Sequence, residues 1–276
     1  MRASGDEGDI VSGLDQSRPE VTTQPTGPQH CEFHNSGNVT RNPATREALW
    51  KLIKPLTLGL IGGLSLGAGI YYYRELAKAS EAQGQPLSML LTHADVRTVL
   101  AHIDAGEINE LTAYLRDLIE SLRLAGCDVA AISAVAPHIC ITQLAALSPL
   151  PIVSILEAIR DELERRQLRR VALFGHRHVI ETDLYGALPG VDVVRPRPDE
   201  TAAIARTYAA VVSRGGVSED RALFRDIAEE LCRRERLDAI VLAGTDLSIL
   251  FESEEPGFPA IDCSQIHIRA ITQRLA

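Results

Sequence analysis

Beyond residue 55 the chain alternates two patterns. Short continuous apolar runs are followed by segments in which apolar residues return every third or fourth position. The runs at 57–61, 88–92, 128–133, 151–154, 170–174, 191–194 and 238–243 predict strands, and the periodic segments predict helices at 66–80, 107–124, 154–167, 200–213, 217–234 and 264–275. In 107–124 the residues Ile108, Leu111, Leu115, Ile119 and Leu122 form one apolar stripe. Strands that are apolar throughout and alternate with helices predict parallel sheets covered on both faces.

The stretch 56–73, LTLGLIGGLSLGAGIYYY, carries no charge, and its length alone would permit a membrane span. Five glycines and three consecutive tyrosines argue for a soluble strand, a turn at Gly62-Gly63 and a helix instead. The chain also resembles itself. LGLIGGLSLGAGIYY from Leu58 lies over VALFGHRHVIETDLY from Val171, so that Gly62 meets Gly175 at an offset of 113. DVAAISAVA from Asp128 lies over DAIVLAGTD from Asp238 at an offset of 110. The near-equal offsets favour two α/β halves of similar topology over chance likeness between any two strand–turn–helix units. Such halves would face each other across a cleft, and in open parallel sheets the ligand lies at the carboxyl ends of the strands. The segments expected to line the cleft are 62–65, 92–95, 134–138, 175–179 and 244–248.

Composition narrows the function. Of 276 residues, 45% are hydrophobic and 24% charged, enough for a sizeable core. A net charge of −9 and only 4% aromatics exclude a basic or base-stacking nucleic-acid surface. Five cysteines, with no CxxC, support neither a zinc ribbon nor a disulfide scaffold, and a reducing cytoplasm fits best. Residues 1–45 hold ten scattered hydrophobic residues among Gly, Pro, Ser, Thr and Asn. Such a segment predicts disorder, and it lacks the apolar region of a secretory signal. The expected organisation is a tail at 1–54, which an over-extended gene start would also produce, a first α/β domain at 55–150, a second at 151–259, and a helix at 260–276 packing back on the first.

The landmark segments, taken in order, are GLIGGLSLGAGIYYYREL, AGCDVAAISAVAPHI, VALFGHRHVIETDLY, LDAIVLAGTDLSIL and IDCSQIHIRAI. Together they resemble the aspartate/glutamate racemase superfamily over residues 56–276. The resemblance implies two pseudo-symmetric parallel-sheet α/β domains facing across a cleft, no cofactor, and an isomerase that moves a proton at the α-carbon of a small carboxylate substrate. It further implies two cysteines, one per half, because inversion needs a base and an acid on opposite faces. Here those two places carry Ala134 and Gly244, and the Asn-Thr that follows the first carries Val135-Ala136. Thr245 and Asp246 match the family's Thr-Glu, and His138 matches its His.

With no thiol at either place, the residues read as catalytic are His138, His178 and Asp246, since imidazoles after strand ends titrate near neutrality and Asp246 can serve as a base. Gly62, Gly63, Ser65, Thr92 and Thr245 are read as substrate-binding. Each has a plainer reading: His138 caps or packs, one of His176 and His178 is simply exposed, and Asp246 stabilises a helix start. Cys127, Cys140 and Cys263 read as buried structural thiols. No metal site is expected, because His176-x-His178 lacks further ligands. The expected partner is a small carboxylate or amino acid, with neither nucleic acid nor membrane, and with a homodimer left open. Two alternatives remain: a carboxylate-binding protein of the same fold without catalysis, and a related decarboxylase or lyase using a single acid.

Overall fold

The structure is a computed structural model that describes residues 55–276. The tail at 1–54 therefore lies outside the described residues. Residues 55–276 lie within one compact unit.

Two four-stranded parallel sheets organise the fold. The first contains β1 (Leu58–Gly62), β2 (Met89–His93), β3 (Val129–Ile132) and β4 (Ile152–Val153) in the order β2-β1-β3-β4. The second contains β5 (Arg170–Gly175), β6 (Asp192–Val193), β7 (Ala239–Ala243) and β8 (Ala260–Asp262) in the order β6-β5-β7-β8. The order is the same in both. Register repeats too: Leu58 pairs with Val129 across β1 and β3, and Val171 pairs with Ala239 across β5 and β7. The duplicated halves expected from the sequence are thus present as repeated topology.

Every residue of β1, β3 and β7 is buried, which accounts for their unbroken apolar runs. In the first sheet, Leu58 and Leu60 face α1 (Leu66–Ala82) and α10 (Cys263–Leu275), packing with Tyr71, Tyr72, Leu76, Ile268 and Ile271. Ile61 and Ile132 face the other way, onto Val99 and Ile103 of α2 (Val96–Ala105) and Leu111, Leu115, Ile119 and Leu122 of α3 (Ile108–Leu124). Helix α3 lies so close that a Cβ on Gly59 would come within 2.9 Å of Leu122. In the second half, β5 and β7 are covered by α5 (Ile155–Arg165), α7 (Pro198–Arg214) and α8 (Ser218–Glu235), with Phe174 and Phe224 at the centre. The C-terminal helix α10 links the two cores: Cys263 and Ile266 pack in the second, Ile268 and Ile271 in the first.

Three short helices also follow strand ends: α4 (Ile141–Leu147) after a 3₁₀ turn at Ala136–Cys140, α6 (Arg177–Glu181), and α9 (Thr245–Leu250). The sequence pattern did not predict α2, α4, α6 or β8. No helix of the described residues is long and apolar enough to cross a membrane, and 56–73 forms β1, a turn and the start of α1.

Candidate active site at the strand ends

The chain turns sharply where β1 meets α1. Gly63 has φ +84°, and a Cβ there would stand 2.4 Å from the Ala94 carbonyl oxygen, so only glycine fits. The turn delivers Ser65 to the N-cap of α1, where its hydroxyl accepts from the Ala68 amide. The same hydroxyl donates to Asp246 Oδ1 at 2.5 Å, across 181 residues of sequence. Asp246 lies in the first turn of α9, directly after β7. Ser65, Thr245 and Asp246 are 8%, 2% and 5% exposed. Burial pushes the Asp246 carboxyl above the usual aspartate range, while the Ser65 bond pulls the other way.

Gly244 caps α9, and its missing side chain is matched by an intruding one. A Cβ built there would meet the Tyr208 ring at 2.4 Å (Cε2) and 2.6 Å (Cζ), and the hydroxyl at 2.9 Å. Tyr208 comes from α7 and packs against the second core. Burial, with Asp246, Cys263 and Tyr185 as electrostatic neighbours, holds its phenol protonated well beyond neutral pH. Tyr185 arrives by a strained route. Asp183, Leu184 and Tyr185 have φ of 53°, 56° and 59°, a left-handed turn without glycine at any of the three. Its hydroxyl donates to the Ala136 carbonyl at 3.0 Å, tying the second half to the turn after β3.

The histidines divide differently from the expectation of catalytic imidazoles. His138 is fully buried. Its Nδ1 lies 2.9 Å from the Ala134 carbonyl, which can only accept, so Nδ1 carries the proton and Nε2 is an acceptor with no partner among the described residues. His267 is buried beside it, rings 6.5 Å apart, with Nε2 donating to the Val153 carbonyl at 2.8 Å and Nδ1 accepting from the Tyr72 hydroxyl at 2.9 Å. Burial lowers His138 to about 3 and His267 to about 4. Both are neutral core histidines, and the packing reading of His138 describes its geometry. His178 stacks on His176, whose ring caps α6, and reaches Asp104 of the first half at 3.4 Å. His93 is exposed and borders Gly63. Thr92 is half-buried in β2 opposite Ile61. Val135 turns into the second core.

The thiols are placed as structural ones. Cys127, Cys140 and Cys263 are buried, Cys140 donates to the Pro137 carbonyl at 3.2 Å, and burial raises the thiol pKa values of Cys140, Cys232 and Cys263. Among the described residues no three His, Cys, Asp or Glu side chains are grouped to hold a metal ion. A groove of about 620 Å³ between α1 and α10, lined by Tyr71, Glu75, Lys78, Gln265 and Arg269, contains none of Ser65, Asp246 or Gly244. The candidate site is the set of buried polar groups that converge at the strand ends, apart from that groove.

The model of the family described as Asp/Glu/Hydantoin racemase matches residues 61–271. The chain belongs to that family. Solved structures of the same fold include a protein of Yersinia pestis assigned as an Asp/Glu racemase, with TM-score 0.70 at 23% identity over 80% of this chain and 99% of that one. An aspartate racemase homologue from Pyrococcus horikoshii OT3 gives 0.65 at 21% identity, covering 79% and 98%. A glutamate racemase from Francisella tularensis, solved in complex with D-glutamate, gives 0.58 at 12% identity, covering 80% and 81%. The architecture of this racemase-family chain is therefore the family's own: two parallel sheets of matching order. Tyr208 and Tyr185 escaped the sequence reading. A signal for Tyr208 was available, because it continues the stripe Thr201, Ile204, Val211 on α7, and a tyrosine on a buried stripe brings a hydroxyl into the interior.

Proposed function

We propose that this protein is a cofactor-independent isomerase of the Asp/Glu/Hydantoin racemase family. It moves a proton at the α-carbon of a small carboxylate-bearing substrate, with Asp246 as the base. The observation that carries the reading is the Asp246 carboxyl, buried at the end of β7 and held by Ser65 from the other half. A carboxylate whose proton affinity is raised by burial is a better base than one in water, which is what α-proton removal requires. The Francisella tularensis glutamate racemase, seen with D-glutamate, supports a dicarboxylic amino acid as the first class to try. Gly62, Gly63, Ser65, Thr92 and Thr245 are the proposed substrate-binding residues.

In this mechanism the Asp246 carboxylate takes the α-proton, and the electron pair left on carbon delocalises into the substrate carboxylate. With one base on one wall, inversion requires the planar intermediate to turn its opposite face to Asp246 before the proton returns; return to the face it left gives exchange with retention. Because Asp246 is nearly closed off, substrate entry requires the halves to part. The exposed contacts His178–Asp104 and Arg74–Glu252 add little resistance, since exposed pairs are worth about 0–1 kcal/mol each, so the cost lies in the buried groups that join the halves, the Ser65–Asp246 and Tyr185–Ala136 hydrogen bonds among them.

The Tyr208 ring against Gly244, together with Ala134 at the other family position, favours a second reading: binding, or one-sided protonation in a decarboxylase or lyase. The test is α-proton exchange in D₂O, followed by NMR, with both enantiomers of aspartate and glutamate. Wild type is expected to exchange and Asp246→Asn to lose about 10²–10⁴-fold. Calorimetric binding without exchange would replace the isomerase by a binding protein.

A further inference from the structure

We propose that the Tyr208 hydroxyl is the hydrogen-bond donor that meets the substrate carboxylate, standing where residue 244 has no side chain. The proposal rests on the functional reading above and adds a residue to it. Four observations converge. The hydroxyl end of the ring occupies the space over Gly244, with three ring and hydroxyl atoms within 2.9 Å of the place a Cβ would take. Asp246, the proposed base, is two residues along and close enough for its charge to act on the phenol. The described residues provide the Tyr208 hydroxyl with no hydrogen-bond partner, whereas the neighbouring Tyr185 hydroxyl is committed to the Ala136 carbonyl. Finally, the strained left-handed run through Asp183, Leu184 and Tyr185 brings that second phenol beside the first. Strain of this kind persists where the surrounding structure enforces it, and it clusters at functional sites.

The chemistry follows from the two groups' protonation. When Asp246 takes the α-proton, the C–H bond breaks, an O–H bond forms on the carboxylate, and the electron pair moves onto the substrate carboxylate oxygens as an enediolate. That developing charge needs a donor that is neutral and already oriented. The phenol stays protonated, so it donates a hydrogen bond without taking part in proton exchange. Its ring also explains the glycine. Any side chain at 244 would displace the hydroxyl, so a thiol at 244 and a phenol from 208 are mutually exclusive occupants of one place.

Tyr208→Phe keeps the ring and removes only the donor. Its melting temperature should match wild type, while kcat for α-proton exchange of aspartate or glutamate should fall about 10²-fold or more, with KM changed much less. Exchange at the wild-type rate would overturn the proposal. Calorimetric titration of the same amino acids separates this failure from that of the isomerase reading. If wild type binds but does not exchange, the isomerase is lost; Tyr208 then stands only if Tyr208→Phe weakens binding at least about tenfold, and falls if affinity is unchanged. A wild type that neither exchanges nor binds these acids overturns both.

Discussion

The Ser65 hydroxyl lies 2.5 Å from Asp246 Oδ1 and simultaneously accepts from the Ala68 amide, so one side chain caps α1 and anchors the proposed base in the other half. The two roles separate in Ser65→Ala. The bond favours ionised Asp246, opposing the effect of burial, so its loss should raise the Asp246 pKa. A base must be ionised, so the acidic limb of the pH–rate profile for α-proton exchange should move to higher pH in the variant. Loss of the cap should also lower stability by about 0.5–2 kcal/mol, read by urea unfolding. A pH profile that stays in place would remove Ser65 from control of Asp246.

The turn after β1 offers a test that involves no ligand. Gly63→Ala forces φ +84° on a residue with a Cβ and drives that Cβ against the Ala94 carbonyl oxygen at 2.4 Å. The carbonyl belongs to a segment pinned by the Ala94 amide donating to the Gly62 carbonyl at 2.8 Å, so it cannot step aside. Unfolding free energy should drop by more than about 2 kcal/mol, combining left-handed strain with the clash. An unchanged denaturation midpoint would mean that the turn relaxes freely.

Much of this was legible before the structure. Apolar runs located seven of the eight strands; the central strands β1, β3, β5 and β7 are apolar almost throughout because both their faces are buried. Two nearly equal offsets carried the duplication, seen as matching sheet orders. Strand β8 (Ala260–Asp262) lies in the segment FPAID, where a proline precedes it and an aspartate ends it, so no apolar run marks it. Helix α2 was missed although Asp95 and Gly106 mark its ends, since its ten residues give only a short stripe at Val99 and Ile103. At the site, the absence of thiols at 134 and 244 was visible from the residues alone. What fills the space was not. Tyr208 lies 36 residues before Gly244, on another helix, and only packing brings them together. His138 illustrates the opposite limit: a histidine after a strand end is the same letter whether it faces a ligand or, as here, a carbonyl in the core.

The Gly244–Tyr208 contact predicts a coupling. Gly244→Cys places Cβ 2.4 Å from Cε2 of the ring, and overpacking of this kind costs about 1–3 kcal/mol. Tyr208→Ala alone should also destabilise, by leaving a cavity. Combined, the two should cost less than their sum by about 0.5–3 kcal/mol, because the sulfur enters the space the ring vacates. A double-mutant cycle by denaturant unfolding measures this, and strict additivity would show that the two side chains do not compete for one volume.

His138 and His267 make stability depend on pH in a calculable direction. Burial holds their folded-state values at about 3 and 4, below the roughly 6.5 of an unfolded histidine. Below about pH 6.5 the unfolded chain therefore binds protons that the folded chain refuses, and stability falls as the solution is acidified towards pH 4. Each histidine contributes up to about 1.4 kcal/mol per pH unit in that window. Asp246 and Asp262, whose values are raised by burial, act in the opposite sense at the acid end, because the folded state holds their protons more tightly. Tyr72, bonded to His267, remains neutral throughout. Unfolding free energies at pH 7, 6 and 5 should thus decline for wild type. His138→Gln, which keeps a donor for the Ala134 carbonyl but cannot titrate, should decline less steeply by about one histidine's share. Parallel declines in the two proteins would show that His138 is not the neutral core group its hydrogen bond to Ala134 makes it.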